Sequence, residues 1–202
     1  MCRNVRSVRL LVALSVAALL GACAAPPSTT TPAVRAQAPK DAPLINPGFE
    51  STAPGRRNDP EGWFTYQHAG DKSYNFVLDT SDPHGGTRSL RIDYIGPEPY
   101  GSVAQSVVAA PYAGKVARYS AWLKTRDASE NGAVLTILVL ANGAVVSQNF
   151  MAEAPVKGSK GWTRYTITLP VPGNAERVEI GAMMQGKGSL WLDDVELEFV
   201  SP

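Results

Sequence analysis

The chain has 202 residues, of which 44% are hydrophobic and 18% charged, and its formal net charge is +1. This composition is typical of a globular protein. Lysine and arginine form no block, which argues against a nucleic-acid partner, since such a partner needs a basic surface to replace phosphate counterions. Both cysteines, Cys2 and Cys23, lie near the N-terminus. The rest of the chain can therefore form neither a disulfide nor a thiolate metal site.

The N-terminus predicts a secretory signal. Three arginines precede the apolar run Leu10–Leu20, which is shorter than the roughly 20 residues of a membrane span but suits the hydrophobic region of a signal peptide. The segment 20–23, Leu-Gly-Ala-Cys, resembles the lipobox of bacterial lipoproteins. This resemblance implies a signal peptide over residues 1–22 and lipidation of Cys23, whose acyl chains would anchor the protein to a membrane.

A tether is expected after the signal, over residues 23–43. The segment is rich in proline, serine, threonine and alanine, a composition that favours extended chain over packed structure. Cys23 is followed by Ala24 rather than by aspartate, which resembles the outer-membrane sorting pattern of Gram-negative lipoproteins. We therefore expect a lipid-anchored protein of the cell envelope, located in a Gram-negative host at the outer membrane and facing the periplasm.

Residues 44–202 predict one all-β domain. Short runs rich in valine, isoleucine, leucine and tyrosine alternate with clusters of glycine, proline, asparagine and aspartate, which is the pattern of a β-sandwich or barrel. Asn142–Gly143 predicts a tight hairpin turn, because these residues accept positive φ angles. The expected strands are 74–79, 89–94, 103–108, 116–125, 133–140, 144–150, 163–170, 176–184 and 189–200.

Alternation along these strands assigns side chains to faces. Leu90 and Ile92 share the side expected to face the core, and Arg91 lies on the other side. The same argument places Trp122 on a face with polar neighbours. Such a tryptophan either lines a ligand surface or covers a second layer of packing.

Five motifs follow one another through this domain and carry a resemblance. They are Asn-Pro-Gly-Phe-Glu at 46–50, Glu-Gly-Trp at 61–63, Gly-Gly-Thr-Arg-Ser-Leu-Arg-Ile at 85–92, Tyr-Ser-Ala-Trp-Leu-Lys at 119–124 and Leu-Trp-Leu-Asp-Asp-Val at 190–195. In this order they resemble the galactose-binding-like jelly roll of CenC-type carbohydrate-binding modules. The resemblance implies a jelly-roll β-sandwich of about eight or nine antiparallel strands.

The resemblance also implies a structural Ca²⁺ ion. Carried over to this chain, Glu50 and Asp193 would be the side-chain ligands, with carbonyl groups near Ser81–Gly86 completing the shell and Asp194 as a less favoured alternative. Calcium takes six to eight oxygen ligands, many of them carbonyls, and an ion here would fasten both ends of the domain. The alternative is that these carboxylates are solvated or bind loop amides.

Sugar binding requires aromatic surface for pyranose rings and planar polar groups for hydroxyls. Trp63 is assigned to the core at the opening loop, and for any single aromatic residue packing is the competing interpretation. The candidate ligand-binding residues are Tyr100 in a turn-rich rim and Trp122, Arg91, Gln105 and Gln185, expected across a concave sheet.

The sequence lacks the motifs of common hydrolases. It has neither a Gly-x-Ser-x-Gly nucleophile elbow nor a His-Glu-x-x-His zinc motif. Asp193 and Asp194 are adjacent on a strand and point to opposite faces, so they cannot form the carboxylate pair of a glycosidase. We therefore expect a non-catalytic module that binds an envelope or extracellular glycan. The alternatives are a structural or protein-interaction module with an envelope protein as partner, and a small hydrolase.

Overall fold

The computed structural model describes residues 42–202. The predicted signal peptide, the lipidation at Cys23 and most of the predicted tether lie outside the described residues. Within them, Ala42 already joins the domain, because its backbone N–H donates to the carbonyl of Leu197 at 3.0 Å. No helix in the described range has the length and apolar character needed to cross a membrane.

The described residues fold into antiparallel β-strands with one short 3-10 helix, Ala110–Tyr112. The strands are β1 Phe64–Gln67, β2 Tyr74–Asp79, β3 Ser89–Tyr94, β4 Tyr100–Val108, β5 Val116–Ala141, β6 Ala144–Asn149, β7 Val156–Pro170, β8 Arg177–Gln185 and β9 Ser189–Val200. The predicted all-β jelly roll with about nine antiparallel strands is confirmed.

Two layers arise because β5 is long and takes part in both. Its first half pairs with β7 and β9, and its second half pairs with β8 and β6. Between the halves the register shifts, and Asp127 and Gly132 adopt positive φ angles of 51° and 67°, the irregularity by which one strand bends from sheet to sheet. We call the layer of β1, β4, β8, the second half of β5 and β6 the front sheet, and the layer of β2, β3, β9, the first half of β5 and β7 the back sheet.

The core lies between the two sheets and uses the apolar rows that alternation predicts. Leu90 and Ile92 are fully buried, as are the alternate residues Ile180 and Ala182 of β8. Trp63 is buried as expected, 7% exposed, with its ring centroid 4.9 Å from that of Phe49. The interior is thus filled by one apolar side of each sheet, which leaves the opposite sides free to face outward.

Four strands differ from the sequence-based expectation, including β4, which begins at Tyr100 rather than at 103. The expected strands 116–125 and 133–140 are parts of one strand, β5, because the polar segment between them stays paired with β7. Strand β7 begins at Val156 rather than at 163, and β1 was not expected. The hairpin between β5 and β6 is confirmed, with Asn142 and Gly143 at φ angles of 52° and 72°.

Candidate binding site

The outer side of the front sheet carries a cluster of aromatic side chains. Phe64 and Tyr66 of β1 pair with Ala104 and Ser102 of β4, so they stand on the side of the sheet that faces away from the core. Their rings are stacked with centroids 5.9 Å apart, and Phe64 is 44% exposed. Tyr100, at the start of β4, lies on the same side by alternation. We call this outer side the front face.

Small side chains form the row that crosses the middle of the front face. Ala104 pairs with Gly181 of β8, and Gly181 pairs with Thr136 of β5. A Cβ atom on Gly181 would lie 2.0 Å from the carbonyl oxygen of Val103, so only glycine allows β4 and β8 to approach this closely. The neighbouring row carries Tyr66 at one end, which gives the face a low centre beside an aromatic margin.

Polar groups stand around this aromatic margin. Burial raises the pKa of Glu179 on β8, against the opposing effect of Arg177. Burial also raises the pKa of Tyr66, whose hydroxyl hydrogen-bonds with Ser102 and lies within electrostatic reach of Glu179 and Tyr100. A phenol, a carboxylate and an exposed aromatic ring thus meet on one surface, which is the combination that binds polyhydroxylated rings.

The structure brings together two of the five predicted ligand-binding residues. Tyr100 and Gln185 are directly opposite each other on β4 and β8 and share the front face. The ring of His68 meets that of Tyr100 edge-on at 5.6 Å, and His68 Nδ1 lies 2.8 Å from Glu98 Oε2. The Gln185 amide contacts the sulfur of Met183 at 3.6 Å. Tyr100 and Gln185 therefore extend the aromatic margin toward the end of the sheet.

Gln105 lies on the opposite side of β4 and is 3% exposed. Its Nε2 donates to the carbonyls of Ile45 at 2.8 Å and Gly62 at 3.0 Å, and its Oε1 accepts from the Ile45 N–H at 2.8 Å. The expectation that Gln105 lies across the open face is wrong. Successive side chains of a strand point to opposite sides, and Gln105 alternates with the outward-facing Ala104 and therefore points inward. It fastens the opening loop to the sheet.

Trp122 and Arg91 lie on the outer side of the back sheet. The Trp122 ring stacks on the ring of His84 at 3.8 Å. Arg91 donates to Asp79 and to Asp93, each at 2.8 Å. The expectation that these residues share one groove with Tyr100 is wrong, since alternation gives the side of a strand but not the sheet to which the strand belongs.

Phe64, Tyr66 and Glu179 are site residues that sequence reasoning missed. The alternation of Phe64 and Tyr66 is a strand signal, but it extends over only the four residues of β1. Glu179 alternates with the buried Ile180, which places it on an outer face without identifying its neighbours. The pairing of β1 with β4 and of β4 with β8 was the missing information.

Both residues assigned to calcium bind the loop 84–88. Glu50 accepts the N–H groups of Thr87 at 2.8 Å and Arg88 at 3.0 Å, and also the Thr87 hydroxyl at 2.6 Å. Although burial acts to raise its pKa, these hydrogen bonds and the charge of Arg88 lower it overall. The Glu50 carboxylate is therefore held ionised by the loop it binds.

Asp193 binds the same loop from the other side. It is fully buried and accepts the N–H groups of His84 at 2.9 Å, Gly85 at 3.1 Å and Asp194 at 2.8 Å. Burial raises its pKa to about 6, although these amides act in the opposite direction. Asp194 lies at φ 45° and pairs instead with the ring of His84.

Glu50 and Asp193 match calcium in the chemical type of their oxygens, but these oxygens point toward hydrogen-bond donors. Carboxylate oxygens are ligands that Ca²⁺ takes, yet the oxygens of Glu50 and Asp193 face backbone N–H groups, and the loop would have to present carbonyl groups to complete a shell. Residues 42–202 contain no group of three or more histidine, cysteine or acidic side chains placed to hold a metal. Calcium at these two residues stays a prediction.

Comparison with known proteins gives a distant relative and no family. No protein-family profile matches the chain. It is 26% identical over 147 residues to the uncharacterized HTH-type transcriptional regulator YbfP of Bacillus subtilis, a match that covers 69% of this chain and 48% of the relative. The chain thus spans about half the length of the curated relative it matches.

Solved structures with a similar fold include both binding modules and enzymes. TmCBM61, solved in complex with β-1,4-galactotriose, is 18% identical with a TM-score of 0.52, covering 78% of this chain and 98% of the module. The CBM22-1 xylan-binding domain of Paenibacillus barcinonensis Xyn10C is 13% identical with a TM-score of 0.53, covering 82% and 99%. A Stig cyclase from Fischerella sp. TAU is 14% identical with a TM-score of 0.54, covering 80% and 98%. At these identities the likeness is one of fold, and the domain has the jelly roll that carbohydrate-binding modules share with enzymes.

Proposed function

We propose that this chain is a lipid-anchored protein of the cell envelope whose jelly roll binds glycans without catalysis through the front face. The single observation that carries the proposal is the aromatic margin of Phe64, Tyr66 and Tyr100 beside a row of small side chains. Flat rings bind the apolar faces of pyranoses, and the adjacent Glu179 and Gln185 are suited to their hydroxyl groups.

A non-catalytic role fits the charges of the front face. Glycoside hydrolysis uses two carboxyl groups on either side of the scissile bond. Among the outward-pointing residues of β1, β4, β6, β8 and residues 133–141 of β5, Glu179 is the one carboxylate, while Glu98 lies beside His68 and Glu130 shares a pocket with Gln185 at the end of the sheet. The strands that carry Phe64 and Tyr66 thus offer one carboxylate, which suits hydrogen bonding to a ligand better than paired acid and base chemistry. The fold alone does not decide this point, since it also serves cyclases.

The test is affinity electrophoresis of the full chain in gels that contain galactan, xylan or other neutral polysaccharides. We expect retardation by at least one polysaccharide and a loss of about tenfold or more in affinity for Tyr66→Ala, as for an aromatic anchor at the centre of an interface. Tyr66→Phe keeps the ring and should retain most of the affinity. Trp162→Ala removes an aromatic residue of the back sheet and serves as the matched control.

Two results would count against glycan binding. One is free migration of the wild-type chain in every polysaccharide gel. The other is equal retardation of the wild type and Tyr66→Ala, which would show that binding does not use the front face. Turnover of a glycoside, lost in Glu179→Gln, would replace the binding role with an enzymatic one.

Membrane anchoring is tested separately through the cysteine of the lipobox. Cys23→Ser removes the thiol that would carry the diacylglyceryl group, and because two or more acyl chains are needed for stable anchoring, the variant should move from the membrane to the soluble fraction. Cys2→Ser is the matched control and should leave the distribution unchanged. A Cys23→Ser protein that stays with the membrane would contradict the anchor.

An envelope protein is the second candidate ligand, favoured by apolar exposure at the edge of the same sheet. Val108 on β4 is 62% exposed and Val146 on β6 is 47% exposed, with β8 and β5 between them, and exposed apolar side chains on one sheet offer surface for protein contacts. A protein partner predicts that Val108→Asp abolishes its co-purification. Glycan binding predicts instead that the same variant keeps its retardation on polysaccharide, because Val108 lies away from the aromatic margin.

A further inference from the structure

The outer side of the back sheet holds a pocket of about 440 Å³. It lies where β5, β7 and β9 run side by side and where the segment after β2 reaches the sheet. Its walls include Ser81, Lys124, Arg126, Ser159, Lys160 and Trp191. Three of these six residues are cationic, and the described residues that line the pocket include no carboxylate.

Trp191 forms the floor beneath the cations. Its indole N–H donates to Asp79 Oδ2 at 2.6 Å, which fixes the plane of the ring. Lys124 Nζ lies 4.4 Å from the ring centroid, and the guanidinium carbons of Arg126 and Arg91 lie at 5.3 and 5.8 Å. Cations are attracted to the face of an indole, and three positive groups accordingly lie within about 6 Å of the Trp191 ring centroid.

Two of the gathered cations have carboxylate partners. Lys124 Nζ is 2.9 Å from Asp82 Oδ2. Arg91 pairs with Asp79 and Asp93, each at 2.8 Å. These ion pairs leave their cations neutralised before any ligand arrives.

Arg126 and Lys160 have no ion-pair partner among the described residues. Arg126 has a single long hydrogen bond, 3.4 Å from Nη2 to the Ser189 hydroxyl. The Ser189 hydroxyl donates in turn to Asp93 Oδ1 at 2.7 Å, and Asp127 Oδ1 accepts from the Ser159 hydroxyl at 3.2 Å, so the carboxylates near the pocket bind serine hydroxyls rather than these two cations. Two exposed cations in one pocket thus lack the direct ion pairs that the neighbouring Lys124 and Arg91 have.

We propose that this pocket binds an anionic sugar unit, with its carboxylate or sulfate group between Arg126 and Lys160. A planar guanidinium binds such oxyanions through two parallel hydrogen bonds. The hydroxyls of Ser81 and Ser159 donate to Asp79 and Asp127, so their oxygens can accept hydrogen bonds from ring hydroxyls. The pocket volume falls within the range of small-ligand sites. The site is independent of the front face, because the core separates the two sheets.

The experiment titrates the full chain by calorimetry with trigalacturonate, a sulfated carrageenan oligosaccharide of similar length, and β-1,4-galactotriose as the neutral control. Arg126→Gln and Lys160→Gln should each weaken binding of the anionic ligand about tenfold, the effect of losing one charge-assisted hydrogen bond. Lys72→Gln is the control, at an exposed lysine outside the pocket, and should change the affinity for the anionic ligand less than twofold. Lys160→Gln should melt like the wild type, since Lys160 has no ion pair to lose, and Arg126→Gln should melt slightly lower, since it loses the cation–π contact with Trp191 and the long hydrogen bond to Ser189.

The two anionic ligands separate the two sources of charge. Binding of trigalacturonate alone assigns the pocket to uronic acids, and binding of the carrageenan fragment alone assigns it to sulfated sugars. Acetate or sulfate salts that compete as strongly as the oligosaccharides would show an adventitious ion only and would overturn the sugar site. Anionic binding equal in wild type, Arg126→Gln and Lys160→Gln would also overturn it.

The front-face variant distinguishes failure of this site from failure of the proposed function. Tyr66→Ala should lose neutral glycan and keep the anionic ligand, whereas Arg126→Gln should do the reverse. If Tyr66→Ala loses binding of the anionic ligand and Arg126→Gln keeps it, the anionic ligand binds at the front face. That result would contradict the pocket.

Discussion

Two tyrosines of the core differ in what their hydroxyl groups contact. The Tyr74 hydroxyl lies 3.1 Å from the carbonyl of Glu98 and accepts the Gly186 N–H at 3.1 Å. The Tyr119 hydroxyl is buried without a hydrogen-bond partner among the described residues. A buried polar group without a partner lowers the free energy of unfolding, while a satisfied one contributes to it.

We therefore expect opposite effects from the same substitution. Tyr119→Phe should raise the free energy of unfolding by about 1 kcal/mol, and Tyr74→Phe should lower it by about 1 kcal/mol. Urea denaturation followed by tryptophan fluorescence measures both. A Tyr119→Phe variant destabilised as much as Tyr74→Phe would show that the Tyr119 hydroxyl is satisfied in solution.

Asp79 links stability to pH at the residue scale. Burial alone would raise its pKa, but hydrogen bonds from Trp191 and Ser81 and the charge of Arg91 outweigh burial and hold the pKa well below its usual range. A carboxyl group with a lowered pKa in the folded state stabilises that state above its unfolded pKa of 3.8, and this contribution is lost as pH falls toward the folded pKa.

Asp79→Asn should accordingly lower the free energy of unfolding by about 1.5–3 kcal/mol at pH 7, the range for hydrogen bonds to a charged group. The difference from wild type should be smaller at pH 3. Asp71→Asn, at an exposed aspartate, is the control and should have little effect at either pH. An Asp79→Asn deficit that is the same at pH 7 and pH 3 would contradict the lowered pKa.

At the scale of elements, alternation predicted sides well and connections poorly. The buried rows of β3 and β8 are those expected from the sequence, because alternation is a property of a strand by itself. The continuity of β5 was missed, since the polar segment 126–132 has a loop-like composition yet remains paired with β7. Pairing over such distances depends on partners that a local window does not contain.

The calcium prediction also belongs to the scale of elements, because it concerns the loop 84–88 and the two carboxylates that bind it. If the resemblance extends to the ion, Ca²⁺ raises the melting temperature of the full chain and a chelator lowers it, because a ligand that binds only the folded state stabilises it. Glu50→Gln should remove this response, and Glu61→Gln, at an exposed glutamate, should retain it. Equal melting temperatures with calcium and with chelator would leave the loop held by its hydrogen bonds alone.

At the scale of the whole molecule, the two sheets present different chemistry on opposite sides. The front face carries aromatic rings beside small side chains, and the back sheet carries tryptophans beside cations. The predicted residues Tyr100 and Gln185 lie on the first surface, and Trp122 and Arg91 lie on the second. The residue types were recognisable from the sequence, but their division between two surfaces required the fold.

The most direct test of the proposed function is a nuclear magnetic resonance titration of the ¹⁵N-labelled full chain. The ligand is a neutral oligosaccharide prepared from a polysaccharide that retards the chain in the gels. The proposed site predicts that amide shifts concentrate in β1, β4 and β8 and include Tyr66, Tyr100 and Gln185. The amides of β3 and β9 should be nearly unchanged. The largest shifts in β3 and β9, or no shift at saturating ligand, would contradict glycan binding by the front face.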